Sequence, residues 1–169
     1  MNSPHLQAAI DSLKILDVYV RDQVATCKND FNPKYEADFD TLTVQHMHLV
    51  RQSTVLEVAE DTCLLLVFIR LGVRWVDLSE KNEELSVRAV IEAEFVAEYS
   101  MSQRLEQQSI DEFALNNASY HVWPYWRELL SSHCSRMQLP RLVMPTVQFA
   151  QNRHQPDRAK NSEAGNESE

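Results

Sequence analysis

Apolar and polar residues alternate in four stretches of the chain, the signature of strands with one buried and one wet face. Over 16–24 the apolar positions are Leu16, Val18, Val20 and Val24, separated by Asp17, Tyr19, Arg21 and Gln23. Phe31-Asn32-Pro33 interrupts the pattern as a loop, because proline biases the residue before it and cannot donate to a ladder. A short second alternation, Tyr35, Ala37 and Phe39, follows. Over 41–61 the periodicity is confused and does not separate a continuing strand from an irregular crossover. Cys63, Leu65, Val67, Ile69, Leu71, Val73 and Trp75 then fall on one parity, with Arg70 and Arg74 on the other. The polar run 79–84 is a hairpin-compatible loop. The longest alternation comes next, with Leu85, Val87, Ala89, Ile91, Ala93, Phe95, Ala97, Tyr99 and Met101 set against Arg88, Glu92, Glu94 and Glu98. These stretches predict a long antiparallel sheet with one face in water.

After residue 105 the period changes to three and four. Ser109 and Glu112 have capping-box spacing ahead of Phe113, Ala114 and Leu115, predicting a first helix that Asn116-Asn117 ends. Val122, Trp126, Leu129, Leu130, His133 and Met137 lie at helical spacing in a second, longer helix, with Pro124 confined to its first turns and Leu139-Pro140 at its end. Arg141 to Phe149 is apolar but bounded by Pro140 and broken by Pro145, so it reads as an extended surface segment. The predicted organisation is a flexible N-terminus over 1–11, one α+β domain over 12–150 and a disordered acidic tail over 151–169, too poor in apolar residues to offset its ordering entropy.

Composition narrows the function. The chain has 16 basic and 25 acidic residues, a net charge of −9, which disfavours nucleic acid and anionic membrane surfaces as partners. Only two glycines occur, Gly72 and Gly165, so no glycine-rich phosphate loop is available. Three widely spaced cysteines, Cys27, Cys63 and Cys134, argue against a disulfide framework and for a reducing cytoplasm. The N-terminus lacks the basic start and apolar run of a signal peptide, and the longest apolar run stops at Arg70, predicting a chain neither exported nor membrane-spanning.

Candidate chemistry is sparse. His46 and His48 would share a strand face, yet they have no partner at a familiar metal-ligand spacing, so the expectation is no metal and no cofactor. His133 reads as a core histidine. Cys134 with His121 as base lacks a recognisable oxyanion donor or strained turn, leaving a small enzyme built on His121, His133 or Cys134 as the competing class and a structural interaction domain as a third. The aromatic residues Tyr120, Trp123, Tyr125 and Trp126 cover more than one arc of their helix, so some face a partner subunit or ligand. Glu80, Glu83 and Glu84 read first as a solvated turn and second as a docking site for a basic partner.

The C-terminal third carries words that resemble the SecB family of export chaperones. Trp123-Pro124-Tyr125-Trp126-Arg127-Glu128 is similar to that family's Phe-Pro-Tyr-Ala-Arg-Glu, and Ser135-Arg136, Leu139-Pro140 and Val147-Gln148-Phe149 follow in the family's order. Near the start, Val18-Tyr19-Val20-Arg21-Asp22, Phe31-Asn32-Pro33 and Asp38-Phe39-Asp40-Thr41 resemble its Ile-Tyr-Thr-Lys-Asp, Trp-Gln-Pro and Asp-Leu-Asp-Thr. The likeness covers 15–149, with 43–61 unmatched, as if inserted.

The resemblance implies a four-stranded antiparallel sheet packed with helices, a homotetramer built through the long C-terminal helix, and an ATP-independent holdase that keeps unfolded polypeptides in apolar grooves. Clients would be preproteins for export or an antitoxin. By analogy the client groove falls at Phe31, Tyr35, Trp75 and Tyr125, the subunit contact at Trp123, Trp126 and Leu130, and a SecA-like docking surface at Asp22, Glu80, Glu83 and Glu84. Thr26 stands where the family carries a glutamate, removing one acidic contact expected for SecA. The polar run 150–156 replaces its apolar last helix. Such an end resembles the SecB-like chaperones of toxin–antitoxin systems.

Overall fold

The computed structural model describes residues 3–36, 38–60 and 62–144. Its strands are β1 (Leu13–Cys27), β2 (Leu42–Ala59), β3 (Thr62–Asp77) and β4 (Val87–Met101), joined antiparallel in the order β1-β4-β3-β2. Its helices are α1 (Pro4–Ser12), the single turn α2 (Glu83–Ser86), α3 (Gln107–Asn116) and α4 (Ala118–Arg136). The fold is α+β.

Strict alternation makes β3 and β4 the centre of the sheet. The odd residues from Leu65 to Trp75 on β3, and from Ala89 to Met101 on β4, are buried against the helices. Phe95 meets Trp126 of α4 edge-on at 6.5 Å, and Tyr99 meets Phe113 of α3 at 5.0 Å, so each helix is seated by an aromatic pair. On α4 the inward side chains are Val122, Trp126, Leu129, Leu130 and Cys134, the predicted three- and four-residue spacing. Pro124 falls in its second turn, early enough for the helix to continue, and the Asn116-Asn117 break separates α3 from α4. Among the described residues no helix of the core cluster packs on the opposite face of the sheet.

Three local expectations are corrected. The N-terminus forms α1, with Pro4 in the first turn and the Ser3 side chain accepting a hydrogen bond from the Leu6 N–H. α1 buries Leu6 and Ala9, and Ser3 also donates to Glu112 of α3. The unmatched stretch, whose periodicity identifies no element, forms the 18-residue strand β2. The 35–39 alternation is not a strand: turn residues occupy 33–35 and a single 3₁₀ turn covers Phe39–Thr41. Ser109 and Glu112 do not cap α3, which begins earlier with Glu106 at the N-cap.

β1 shows how the face assignment fails while the strand holds. Bulges between Ile15 and Asp17 and between Val20 and Asp22 each shift the register. Val18 and Val20 therefore pair with Ala97 and Phe95 on the helix face, whereas Val24 pairs with Glu92 on the open face.

The strand order fixes the path of 28–41. This segment takes the chain from Cys27 at one edge of the sheet to Leu42 at the other, past the ends of β4 and β3. Phe31 and Phe39 both join the core, in edge contact at 6.3 Å, which places the crossover on the helix side.

Candidate functional site

The crossover is built on two asparagines. Asn29 and Asp30 adopt left-handed backbone conformations, which short polar side chains tolerate best after glycine. The Asn29 amide donates to the carbonyls of Glu84, Leu85 and Val87, pinning the root of the crossover to the β3–β4 connection. Asn32 then closes a tight turn, its carbonyl accepting from the Tyr35 and Glu36 N–H groups and its side chain from the Lys34 N–H. The turn drives Phe31 and Pro33 inward and lifts Tyr35 out, so Phe31 is 8% exposed and Tyr35 75%. The Lys34 ammonium lies 5.5 Å from the Tyr35 ring.

Beneath this end of the sheet, Val44, Trp75, Ala89 and Cys27 form one row across the four strands. Trp75 is 1% exposed, and its indole Nε1 has no hydrogen-bond partner among the described residues. Of the four residues assigned to the client groove, Phe31 and Trp75 are buried in the domain core and Tyr35 and Tyr125 are on the surface. The Asn32 turn gives Phe31 a buried face although it stands in a proline-flanked loop.

The aromatic face of α4 divides as its geometry requires. Trp126 and Leu130 are packed in the chain's own core, a correction to their assignment as subunit contacts: a side chain sealed under its own sheet cannot also meet another subunit. Trp123 is partly buried against that core, while Tyr120 and Tyr125 point outward. Beside Pro124, Arg127 and Glu128, the segment Arg141 to Met144 borders a groove of about 310 Å³. The part after Met144 of the segment predicted to be extended, and the predicted tail, lie outside the described residues.

On the open face of the sheet the dominant feature is an ion cluster. Glu94, 3% exposed, accepts from Arg21 at 3.1 Å and from Arg51 at 2.8 Å. Arg70 forms a second pair with Glu92 at 3.0 Å and reaches Asp22 at 3.4 Å. The hydrogen bond to Glu92 raises the Arg70 pKa, outweighing the opposing effect of desolvation. Gly72 makes this packing possible, since a Cβ there would stand 2.8 Å from Glu92 Cγ and 3.1 Å from Met47 Cε.

The acidic docking set is split by this arrangement. Asp22 pairs opposite Glu94 in mid-sheet and faces Arg70, while Glu80, Glu83 and Glu84 lie in the β3–β4 connection, about 24 Å away at the rise of a strand. Glu80 is itself used locally, accepting from the Asn82 N–H, and Asn82 caps α2 through the Glu84 N–H. The four carboxylates do not form one patch.

The histidines are each held separately. His46 and His48 do share a strand face, opposite Val73 and Leu71. The His48 ring crosses to Ser119 at the start of α4, 2.7 Å away, and partial burial of the ring lowers its pKa although the edge-strand residue as a whole is exposed. His121 is hydrogen-bonded to Tyr99 at 2.9 Å; burial lowers the histidine pKa and raises that of the phenol. His133 is bonded to the Leu129 carbonyl within α4. His121 and Cys134 lie on one helix about 20 Å apart at ~1.5 Å per residue, so they cannot form a base–nucleophile pair. Burial also pushes the Cys134 thiol up, away from the reactive thiolate. Ser119 is buried, closed to a substrate. Among the described residues no group of three or more His, Cys, Asp or Glu could hold a metal ion, and no helix is long and apolar enough to cross a membrane.

Sequence reasoning missed the Trp75 orphan, the Glu94 cluster and the two histidine contacts. Trp75 and Glu94 sit on β3 and β4 with nothing in their neighbours to mark them. The histidine contacts join residues more than twenty positions apart that only the fold brings together.

No family model matches the chain, and no curated protein matches it. Among solved structures, the Mycobacterium tuberculosis SecB-like chaperone Rv1957, in complex with a ChAD peptide from the HigA1 antitoxin Rv1956, superposes with a TM-score of 0.65 at 16% identity. The match covers 86% of this chain and 98% of that one. A Streptococcus agalactiae protein of unknown function matches at a TM-score of 0.32 and 10% identity, over 81% of this chain and 97% of that one, too distant to carry an argument. The four-stranded sheet with its crossover and helices is a SecB-like fold.

Proposed function

We propose that this chain is a holdase chaperone that binds unfolded polypeptide without ATP and carries out no covalent chemistry. The observation that carries the reading is the SecB-like fold shared with a chaperone solved in complex with an antitoxin peptide, over nearly the whole of that protein. The surface supports it: Tyr35, Tyr125, Leu115 and Val143 are large apolar or aromatic side chains in water, the kind that hold a client without a fixed hydrogen-bond pattern. A dedicated antitoxin client fits better than export through a SecA-like motor, because Asp22 is engaged by Arg70, Thr26 is not acidic and the remaining carboxylates lie elsewhere. We place the protein in the cytoplasm as a homotetramer, with the partly exposed Trp123 and its outward α4 neighbour Tyr120 forming the contact. Trp126 and Leu130 stay inside each subunit.

The test is light scattering from a chemically denatured reporter protein diluted into buffer with and without this chain. Suppression of aggregation at near-stoichiometric ratio without nucleotide is the expected result. Aggregation unchanged at excess, or protection that requires ATP, rejects the reading.

A further inference from the structure

Two imidazoles fasten the start of α4 to the sheet. His48 Nε2 on β2 lies 2.7 Å from the Ser119 hydroxyl of α4, and His121 Nδ1 on α4 lies 2.9 Å from the Tyr99 hydroxyl of β4. Ser119 is 1% exposed and Tyr99 is fully buried. A neutral imidazole offers one acceptor nitrogen, which a hydroxyl can use, whereas an imidazolium offers none. Once His121 is protonated, the Tyr99 hydroxyl proton has no second acceptor among the described residues, and leaving it unpaired in the core is costly.

The surroundings offer an imidazolium no counter-charge. From Phe113 to Trp126 the chain holds no Asp, Glu, Lys or Arg, and both rings stand by the first turn of a 19-residue helix, the positive end of its dipole. Tyr120 and Tyr125, the other titratable groups of that stretch, point outward. On β1 and β4, Lys14, Asp17 and Glu98 stand on the open face, opposite in side to Ile15 and Tyr99. β3 sets Leu71 against His48 and keeps Arg70 on the open face with Glu92. β2 adds the exposed imidazole of His46 on the same face, while its Arg51 reaches Glu94 and its Glu57, near the far end, binds Arg104. On α3, Asp111 accepts from Gln107, and Glu112 accepts from Ser3 and Gln108. Burial lowers the pKa of both rings, in keeping with this setting.

We infer that the first turns of α4 are an acid-released latch: protonation of His48 and His121 detaches residues 118–123 from the sheet and bares Tyr99, Ala118 and Val122, each now buried. The rest of α4, seated by Trp126, Leu129 and Leu130, has no such dependence and stays in place. The latch stands independently of the chaperone reading. Opening returns each ring to the ordinary histidine pKa of about 6.5, so the neutral rings hold the latch above that pH and the hold is lost below it; between pH 7.5 and 5.5 each ring can raise the opening constant at most about ten-fold.

The experiment follows hydrogen–deuterium exchange of the full chain by peptide-resolved mass spectrometry at pH 7.5 and 5.5, corrected for the pH dependence of the exchange chemistry. Wild type is compared with His48→Gln/His121→Gln, whose amides can bond the same hydroxyls and cannot take up a proton. In wild type the amides of 117–126 should lose several-fold more protection in acid than those of 128–136 or of β4, and fluorescence of the apolar dye anilinonaphthalene sulfonate should rise. Both differences should vanish in the variant. If the variant fails to fold, the wild-type exchange pattern decides alone. Protection lost equally along α4, or across β4 as well, overturns the inference, as does an acid response of the same size in a folded variant.

Discussion

Replacing Phe31 by alanine should destabilise the protein, whereas replacing Tyr35, four residues further on, should not. The two rings look alike in the sequence and sit in opposite environments. Phe31 is 8% exposed, so most of the ~150 Å² or more that an aromatic side chain buries is removed from water, worth about 4 kcal/mol at ~25 cal/mol per Å² as an upper value. Alanine retains part of that area, and loss of the edge contact with Phe39 adds about 0.5–1.5 kcal/mol. Because the site lies in a loop that can partly collapse, the lower end of the range for phenylalanine-to-alanine changes applies, about 3 kcal/mol. For a chain of this size that lowers the melting temperature by about 6–12 °C. Tyr35 is 75% exposed and its contact with Lys34 is a surface cation–π pair, so Tyr35→Ala should stay within about 0.5 kcal/mol, or ~2 °C. Both variants are melted beside wild type by circular dichroism at one fixed protein concentration, since assembly would make the midpoint concentration-dependent. A Phe31→Ala midpoint within ~2 °C of wild type would refute the packing of the crossover described above.

The open-face ion cluster makes an asymmetric prediction. Replacing both Arg21 and Arg51 by methionine strands the buried Glu94 carboxylate and should cost about 3 kcal/mol, whereas Glu94→Leu leaves two half-exposed arginines that water can serve and should stay within ~1 kcal/mol; urea unfolding measures both, and a costlier Glu94→Leu would contradict the burial argument. His48 and His121 have folded pKa values lowered by burial, so the unfolded chain binds more protons in the window below about 6.5. Stability should therefore fall as pH drops through that window, and the fall should flatten in a His48→Gln/His121→Gln variant; thermal melts between pH 7.5 and 5.5 test this, and an unaltered pH slope in the double variant would assign the acid sensitivity elsewhere.

What could be read from the sequence follows the strength of each element's pattern. β3 and β4 are central, and their helix face is apolar without interruption from Leu65 to Trp75 and from Ala89 to Met101, so parity alone found them. β2 hid because it is an edge strand with His46, His48 and Ser53 on the helix face and Met47, Leu49 and Leu56 on the other, and a bulge at Arg51 reverses the parity halfway. The bulges of β1 did the same on a smaller scale, leaving the strand legible and its faces wrong. The 35–39 alternation was too short to outweigh the turn chemistry of Asn32 and Pro33. α1 did carry a signal, Ser3-Pro4 followed by Leu6, Ala9 and Ile10 at helical spacing, which a reading that began at Leu16 passed over. At the candidate site, the sequence found which residues were unusual, Phe31, Tyr35, Trp75 and Tyr125, but not which were covered. Burial there depends on where a fourteen-residue crossover lands, and no local pattern encodes that.

The placement of β1 at the far side of β4 also orders events during synthesis. β2, β3 and β4 are consecutive neighbours joined by short connections, so they can close on one another as they emerge from the ribosome. β1 has no partner until the last of them is made: Lys14 waits for Ser100, 86 residues downstream. Throughout that interval Leu16, Val18, Val20 and Val24 belong to a nascent strand with neither edge satisfied, in the size range where such exposure invites misassembly. The two β1 bulges interrupt the regular spacing that a second unpaired strand would need for a long register, and charged Asp17, Arg21 and Asp22 stand at or beside them. In this chain the irregularities that obscure the strand's faces also keep its earliest segment from pairing with the wrong neighbour before the right one exists.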